Sequence, residues 1–455
     1  MPSRKTLGFL TALGFLFLSA PLQAQEPVAP KPGFDKINHI VVIYLENRSF
    51  DNLYGLFPGA EGIAALADPL PQVDKNGKIY DRLPPVMDTN KKPAVVDSRF
   101  PADLPNKPFR IEAYSPLDQY TGDMVHRFYQ EQAQIDGGKM DKFVAISDGG
   151  GLVMSYYDGS KLPLWQYAKD FVLADHFFHG AFGGSFLNHF WLICACSPRY
   201  DHAPADLVAQ LDDKGQLLKD GPVTPEGYAV NTIQTVFTPH SPKITDKSKL
   251  LPAQSMPTIG DRLSEKGISW AWYSGGWDDA VAGHADKLFQ FHHQPFAYFA
   301  KYGDGTVERA QHLKDEKAMI ADIAAGTLPA VTFFKPIGAE NEHPGYAEVL
   351  AGDAHTADII KKIQSSPIWK DSVIIVTYDE NGGLWDHVAP PTADKWGPGT
   401  RVPTIIISPF AKKGFVDHTP YDTTAILKLI ETRYGLVPLG SRDAAAPDLG
   451  DAFSF

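Results

Sequence analysis

Two pairs of oxygen-bearing side chains, Glu46-Asn47 and Asp379-Glu380, and one serine behind two glycines, Ser185, are the chemically capable positions of this chain. Each pair ends an unbroken run of apolar, largely β-branched residues, 39–45 and 372–378. Adjacent carboxylates at the end of a buried run are costly unless a cation meets them. Taken alone, 379–383 reads equally well as a metal site and as a solvated acidic turn opened by Gly382-Gly383. Glu46-Asn47 repeats the pattern, and so do Asp175-His176 and the stretch from Glu340 to His343, each just past a further apolar run. Strand ends of one parallel sheet share an edge, and converging carboxylate and amide oxygens suit a hard or borderline divalent cation. Ser185 leads into an apolar helical pattern. It therefore stands at or near a helix N-terminus, where free N–H groups and the dipole favour an anion, with plain capping as the alternative. The set suits a metal-activated serine attacking phosphorus. An acyl-transferring serine hydrolase fits less well, because residues 183–187 lack the glycine two places after the serine that a G-x-S-x-G elbow requires.

The elements that must hold these groups are legible as alternation. Strands are expected at 39–45, 171–174, 268–273, 328–335, 372–378 and 402–407. Helices are expected at 162–169, 257–266, 353–365 and 423–433, and 124–143 starts helical and turns at Gly137-Gly138. Strand and helix in alternation predict an α/β fold, a largely parallel sheet with helices on both faces. Residues 60–116 and 200–255 lack sustained periodicity and read as irregular insertions beside the site. His292 and His293 are adjacent, so in a helix or strand only one of them need face a site.

The chain has 455 residues, 44% hydrophobic and 21% charged, with a formal charge of −12. Residues 1–24 hold Arg4-Lys5, an apolar run at 7–20 and Ala24 before a plausible cut, the parts of a secretory signal. The expectation is a periplasmic or secreted enzyme spanning 25–455, with no stable membrane insertion after cleavage, because the apolar run is short for a bilayer span. Removing that segment leaves a charge of −14, and no basic cluster is present, which argues against nucleic acid or anionic lipid as a charge-driven partner. A phosphorylated substrate stays open, because a bound metal inverts the local field. Cys194 and Cys196 point to different sides of a helix and are read as small buried residues rather than a bridge.

The stretches Asn38-His-Ile-Val-Val-Ile-Tyr-Leu-Glu-Asn-Arg-Ser-Phe-Asp-Asn-Leu-Tyr-Gly55, Gly184-Ser185 and Tyr378-Asp-Glu-Asn-Gly-Gly-Leu-Trp-Asp-His-Val388 resemble the bacterial phosphoesterase family that contains AcpA-type acid phosphatases and phospholipases C. The resemblance runs from about Asn38 to about Gly435 and implies an alkaline-phosphatase-like fold. It implies a divalent metal ion held by Glu46, Asn47, Ser185, Asp379 and Glu380, and a transiently phosphorylated Ser185. It implies that His292 or His293, and His343, contact phosphate or protonate the leaving group, with His126 and His387 either further members or structural groups. The family's phospholipases C usually carry extra carboxy-terminal β-domains, and this chain ends soon after Gly435. The expectation is therefore an acid-phosphatase-type hydrolase of small phosphate monoesters. Phospholipase C action on phosphatidylcholine-like phosphodiesters is the alternative.

Overall fold

The structure, a computed structural model, describes residues 26–66 and 71–455. The export signal read at 1–24 lies outside the described residues. Eight strands form the central sheet: β1 (His39–Leu45), β2 (Val172–Ala174), β3 (Trp270–Ser274), β4 (Leu313–Asp315), β5 (Val331–Lys335), β6 (Ser372–Tyr378), β7 (Thr404–Ile407) and β8 (Phe415–Asp417). Their spatial order is β4-β3-β5-β1-β6-β7-β2-β8. The mostly parallel α/β sheet expected from the sequence is present.

The central pair explains the site. β1 and β6 run parallel in a register from His39 opposite Ser372 to Leu45 opposite Tyr378. Glu46 and Asp379 therefore leave the sheet side by side at its carboxyl edge. β5 flanks β1 on the other side, with Phe334 opposite Ile43, and delivers Lys335 to the same edge. All of β6 is buried, and all of β1 except His39. Burial of every residue in a strand means that both faces of the sheet are covered, which is why these runs are continuously apolar rather than alternating.

The covering helices are α1 (Phe128–Ile135), α2 (Pro163–Asp170), α3 (Ser185–Cys194), α4 (Ile259–Glu265), α5 (Glu316–Ala325), α6 (Val349–Gln364) and α7 (Thr424–Tyr434). They pack in two sets. α6 touches α2 and α5, whereas α3 touches α4 and α7. The described part of 60–116 and all of 200–255 carry only short elements, among them the strand pairs Met87–Asp88 with Val95–Val96 and Gln210–Leu211 with Leu217–Lys219.

Two features differ from the sequence reading. β7 runs antiparallel to both neighbours, β6 and β2. No helix long enough to cross the sheet lies between β6 and β7, so the chain turns back on the same edge. This brings Thr400 and Arg401, at the amino end of β7, to the edge where the parallel strands have their carboxyl ends. The second difference is a correction: Cys194 and Cys196 form a disulfide. The objection to an i, i+2 bridge holds inside a helix, but α3 ends at Cys194 and Ala195 takes a left-handed conformation (φ 46°). The two Cα atoms thereby come within 5.1 Å.

Candidate active site

Ser185 is the first residue of α3, whose N-cap is Gly184. Its Oγ donates to Glu46 Oε2 at 3.0 Å and lies 3.4 Å from Asn47 Oδ1. Asn47 takes a left-handed backbone (φ 57°), which turns the chain sharply off β1. Its N–H donates to Asp379 Oδ1 at 3.0 Å. The same Asp379 oxygen accepts from Glu380 N at 2.8 Å. Glu380 Oε2 accepts the N–H of Gly382. That glycine has φ 64°, and a Cβ there would stand 2.6 Å from the carbonyl oxygen of Asn47, so only glycine permits this approach. The five residues assigned to a metal are thus brought together, all of them buried.

The sequence reading missed the cation in their midst. Lys335 is buried, touches Glu46 Oε1, donates to Leu45 O at 3.2 Å and lies 3.9 Å from Asp379 Oδ2. One ammonium faces the carboxylates of Glu46 and Asp379, with Glu380 next in the chain. Among the described residues, Asp379 Oδ2 and Glu380 Oε1 meet no hydrogen-bond donor, and Glu46 Oε1 meets that ammonium and, at 3.1 Å, His293 Nε2. Burial, then Asp379, pushes the Glu46 and Glu380 carboxyls well above the ordinary range. A divalent cation among these oxygens closes the charge balance and occupies the bare acceptors, so the donor set fits the metal.

Histidines line the other walls in a preset tautomer. His343 Nδ1 is tied to Pro344 O, and its Nε2 faces Asn47 Nδ2 at 3.1 Å. His126 repeats the arrangement, with Nδ1 on Met124 O at 2.5 Å and Nε2 at 3.3 Å from the same amide. His189, also missed from the sequence, donates Nδ1–H to Ser185 O at 2.7 Å and leaves Nε2 bare. Its position four residues after Ser185 was the available signal, because i and i+4 share a helix face. His292 and His293 both line the cavity, since they sit in a single tight turn, Phe291–His293, rather than in a helix or strand. Burial is the main cause that lowers the imidazoles of His189, His292, His293 and His343. It acts together with Lys335 on His189, with His292 on His293 and with His126 on His343. His292 falls to about 4 through burial and Lys335.

Glu46, His189 and His293 also place three ligand atoms within 4.8 Å of one another. The two rings stack in parallel, however, at 5.1 Å and 6°. Parallel planes offset in this way do not aim both lone pairs at one ion, so the oxygen set is the better metal holder.

The cavity above Ser185 measures about 730 Å³. Its walls include Thr89, Asn90 and Lys92, residues 123–127, Asn231 and Thr232, so both irregular stretches contribute. Among the described residues, Met124 and Val125 are its only aliphatic lining residues; the others are charged, polar, aromatic or glycine. His387 and Asp175 are not in the lining. His387 bonds Asp51 at 2.6 Å in a buried cluster with Arg401 and Asp386, and Asp175 pairs with His418 at 2.9 Å. Glu340 also lies apart, 3.5 Å from His355.

A buried clamp holds the serine loop. Glu131 accepts from His179 Nε2 at 2.8 Å, from Thr400 N at 3.1 Å and from Gly183 N. His179 Nδ1 faces Ala181 O at 2.8 Å, so both ring nitrogens meet acceptors and the ring is held as the imidazolium. Asn188 adds amide bonds to Ala181, Gly183 and Gly184.

The sequence model of the Phosphoesterase family matches residues 37–437. Phospholipase C A of Mycobacterium tuberculosis is 26% identical over 473 residues, covering 94% of this chain and 79% of that protein. The non-hemolytic phospholipase C of Pseudomonas aeruginosa is 24% identical, covering 92% of this chain and 57% of that longer protein. Among solved structures, a protein in the alkaline phosphatase superfamily from Vibrio parahaemolyticus aligns over 73% of this chain and 74% of that one, with 11% identity and a TM-score of 0.35.

Proposed function

The chain belongs to the Phosphoesterase family and is a hydrolase of phosphoric ester bonds, and from that premise we propose that it is a metal-dependent phospholipase C-type enzyme that cleaves phosphodiesters of phospholipid head groups through phosphorylated Ser185. The observation that carries the mechanism is the Ser185 Oγ donating to Glu46 at the first turn of α3, on the floor of a polar cavity. The names of the relatives favour a phospholipid diester over the monoester expected from chain length. The expected export through residues 1–24 belongs to the same proposal, and the Cys194–Cys196 bridge supports it, since disulfides persist in oxidising compartments.

Glu46 Oε2 takes the serine proton and leaves an oxygen lone pair toward the cavity. A divalent cation held by Glu46, Asn47, Asp379, Glu380 and Ser185 would acidify that hydroxyl and neutralise phosphate charge. The first-turn N–H groups of α3 meet the equatorial oxygens. The Oγ–P bond forms as the bond from phosphorus to the alcohol breaks. The departing oxygen receives the proton that Glu46 Oε2 took from the serine, and His292, His293 and His343 line the cavity in which it leaves. Water then releases Ser185.

The test compares diacylglycerol release from phosphatidylcholine with turnover of p-nitrophenyl phosphate, with and without chelator. Diester cleavage that chelator abolishes is expected, and Ser185→Ala loses at least about a thousandfold in turnover while keeping the fold. Monoester turnover exceeding diester turnover would restore the phosphatase reading, and release from neither substrate would refute both.

A further inference from the structure

The lining of the cavity poses a problem for a lipid substrate. Two aliphatic residues cannot house acyl chains, so a diacylglycerol leaving group must stay outside the mouth, in the bilayer it came from. The mouth must then meet the bilayer surface. The short hairpin of Met87–Asp88 and Val95–Val96 stands there: Thr89, Asn90 and Lys92 in its loop line the cavity.

The inner side of this hairpin is fixed. Thr89 Oγ1 donates to Asp123 O, and Asn90 Nδ2 donates to Thr121 O at 3.0 Å. Just past it, Arg99 pairs with Asp97 at 2.6 Å and donates to Tyr120 O at 3.3 Å. The outer side is different. Residues 91–96, Lys-Lys-Pro-Ala-Val-Val, are all exposed. Val95 is 39% exposed and Val96 56%, and Tyr120 on the segment alongside is 50% exposed. In a chain of net charge −12, two adjacent lysines beside a run of apolar side chains stand out.

We propose that this hairpin is a docking surface for a phospholipid bilayer, seating the cavity mouth on its substrate. Val95, Val96 and Tyr120 enter the boundary between head groups and acyl chains, and Lys91 meets lipid phosphates. The proposal rests on the phospholipase C reading for its occupant.

The test floats the full chain with vesicles of phosphatidylcholine, with and without a minor fraction of phosphatidylglycerol. Wild type is compared with Val95→Asp/Val96→Asp and with Lys91→Glu. These positions lie on the surface outside the cavity, so near-UV circular dichroism and p-nitrophenyl phosphate or p-nitrophenyl phosphorylcholine turnover stay at the wild-type level. The vesicle-bound fraction is expected to fall at least fivefold in the double variant. Lys91→Glu should lose the extra binding that phosphatidylglycerol confers. Equal flotation of wild type and double variant, or no flotation of wild type, overturns the proposal. Wild type that floats but releases no diacylglycerol leaves the docking surface standing and removes the phospholipase C reading instead.

Discussion

Lys335 gives the sharpest test of the charge balance. Replacing it with methionine keeps the bulk and removes the one ammonium that faces Glu46 and Asp379. Breaking a buried pair by removing one partner costs about 3–5 kcal/mol, since the remaining charge is left uncompensated. In chelator, the apparent unfolding free energy of Lys335→Met should fall by that amount. The sign with pH follows from the carboxyls. Glu46 and Glu380 are held above their ordinary range, so the native state binds the extra protons, and stability falls as pH rises above the unfolded carboxyl range toward their folded values. The deficit should therefore be small at mildly acidic pH and largest at neutral pH and above. A saturating divalent cation supplies the missing charge. At a hundredfold its dissociation constant it stabilises either protein by about 2.7 kcal/mol, and the deficit narrows by as much as the variant, with its extra uncompensated charge, binds the cation more tightly than wild type. Urea midpoints, with and without chelator, at acidic and neutral pH read this out. If the variant loses as much with metal as without, or loses nothing in chelator, the charge-balance account of the site is wrong.

Other outcomes follow from the same contacts. Glu131→Gln, which weakens the hold on Gly183, should lower kcat on the order of tenfold with KM nearly unchanged, since it shifts the attacking oxygen without touching substrate; a larger effect on KM would count against the clamp. Arg401→Met should cost about 3–5 kcal/mol in urea unfolding, because Asp51 and Asp386 lose their shared cation, and Arg401→Lys should recover less than half, lacking the fork that also reaches Glu61 O and Asp175 O. Glu431 on α7 is pushed up to about 9 by burial and by Asp443, so between the ordinary carboxyl range and pH 9 the folded state keeps a proton that the unfolded chain releases, and stability falls as pH rises. Glu431→Gln should therefore match wild type near pH 5 and exceed it on the order of 2 kcal/mol at pH 8, measured by unfolding midpoints across that range.

The strands at 39–45 and 372–378 were legible because a continuous β-branched run has few alternatives to a buried parallel strand. Their oxygen-rich ends were legible for the same reason, since acidic pairs stand out against such runs. The register that sets Glu46 beside Asp379 was not, as nothing in either strand alone fixes their relative level. Lys335 was hidden by its position: a lysine that closes an apolar run reads as the end of a strand, and only the packing of β5 against β1 shows that it is buried. The Glu131–His179 pair joins residues 48 apart in sequence through the turn of a loop, and no local pattern marks it. The cysteine reading failed over a single residue, Ala195, whose left-handed backbone ended the helix in which a bridge was ruled out.

The same edge of the sheet carries a second acidic cluster, and comparing the two shows which one awaits a cation. Asp51 and Asp386 are as buried as Asp379 and Glu380, and with His387 they too present three potential ligand atoms within 4.8 Å. Every oxygen of that pair is nevertheless satisfied. Asp51 accepts from Arg401 and from His387 N and Nδ1; Asp386 accepts from Arg401, Val388 N and Asp51 N. Arg401 reaches them because β7 runs backwards and sets its amino end at the carboxyl edge of β6. A metal at Asp51 and Asp386 would have to displace a guanidinium that already fills the geometry. At Glu46, Asp379 and Glu380 it would meet the bare Asp379 Oδ2 and Glu380 Oε1, with one ammonium and the His293 ring beside Glu46. Composition alone makes the two clusters equivalent. What separates them is whether the chain supplies its own cation in full, and it does so only on the side away from Ser185.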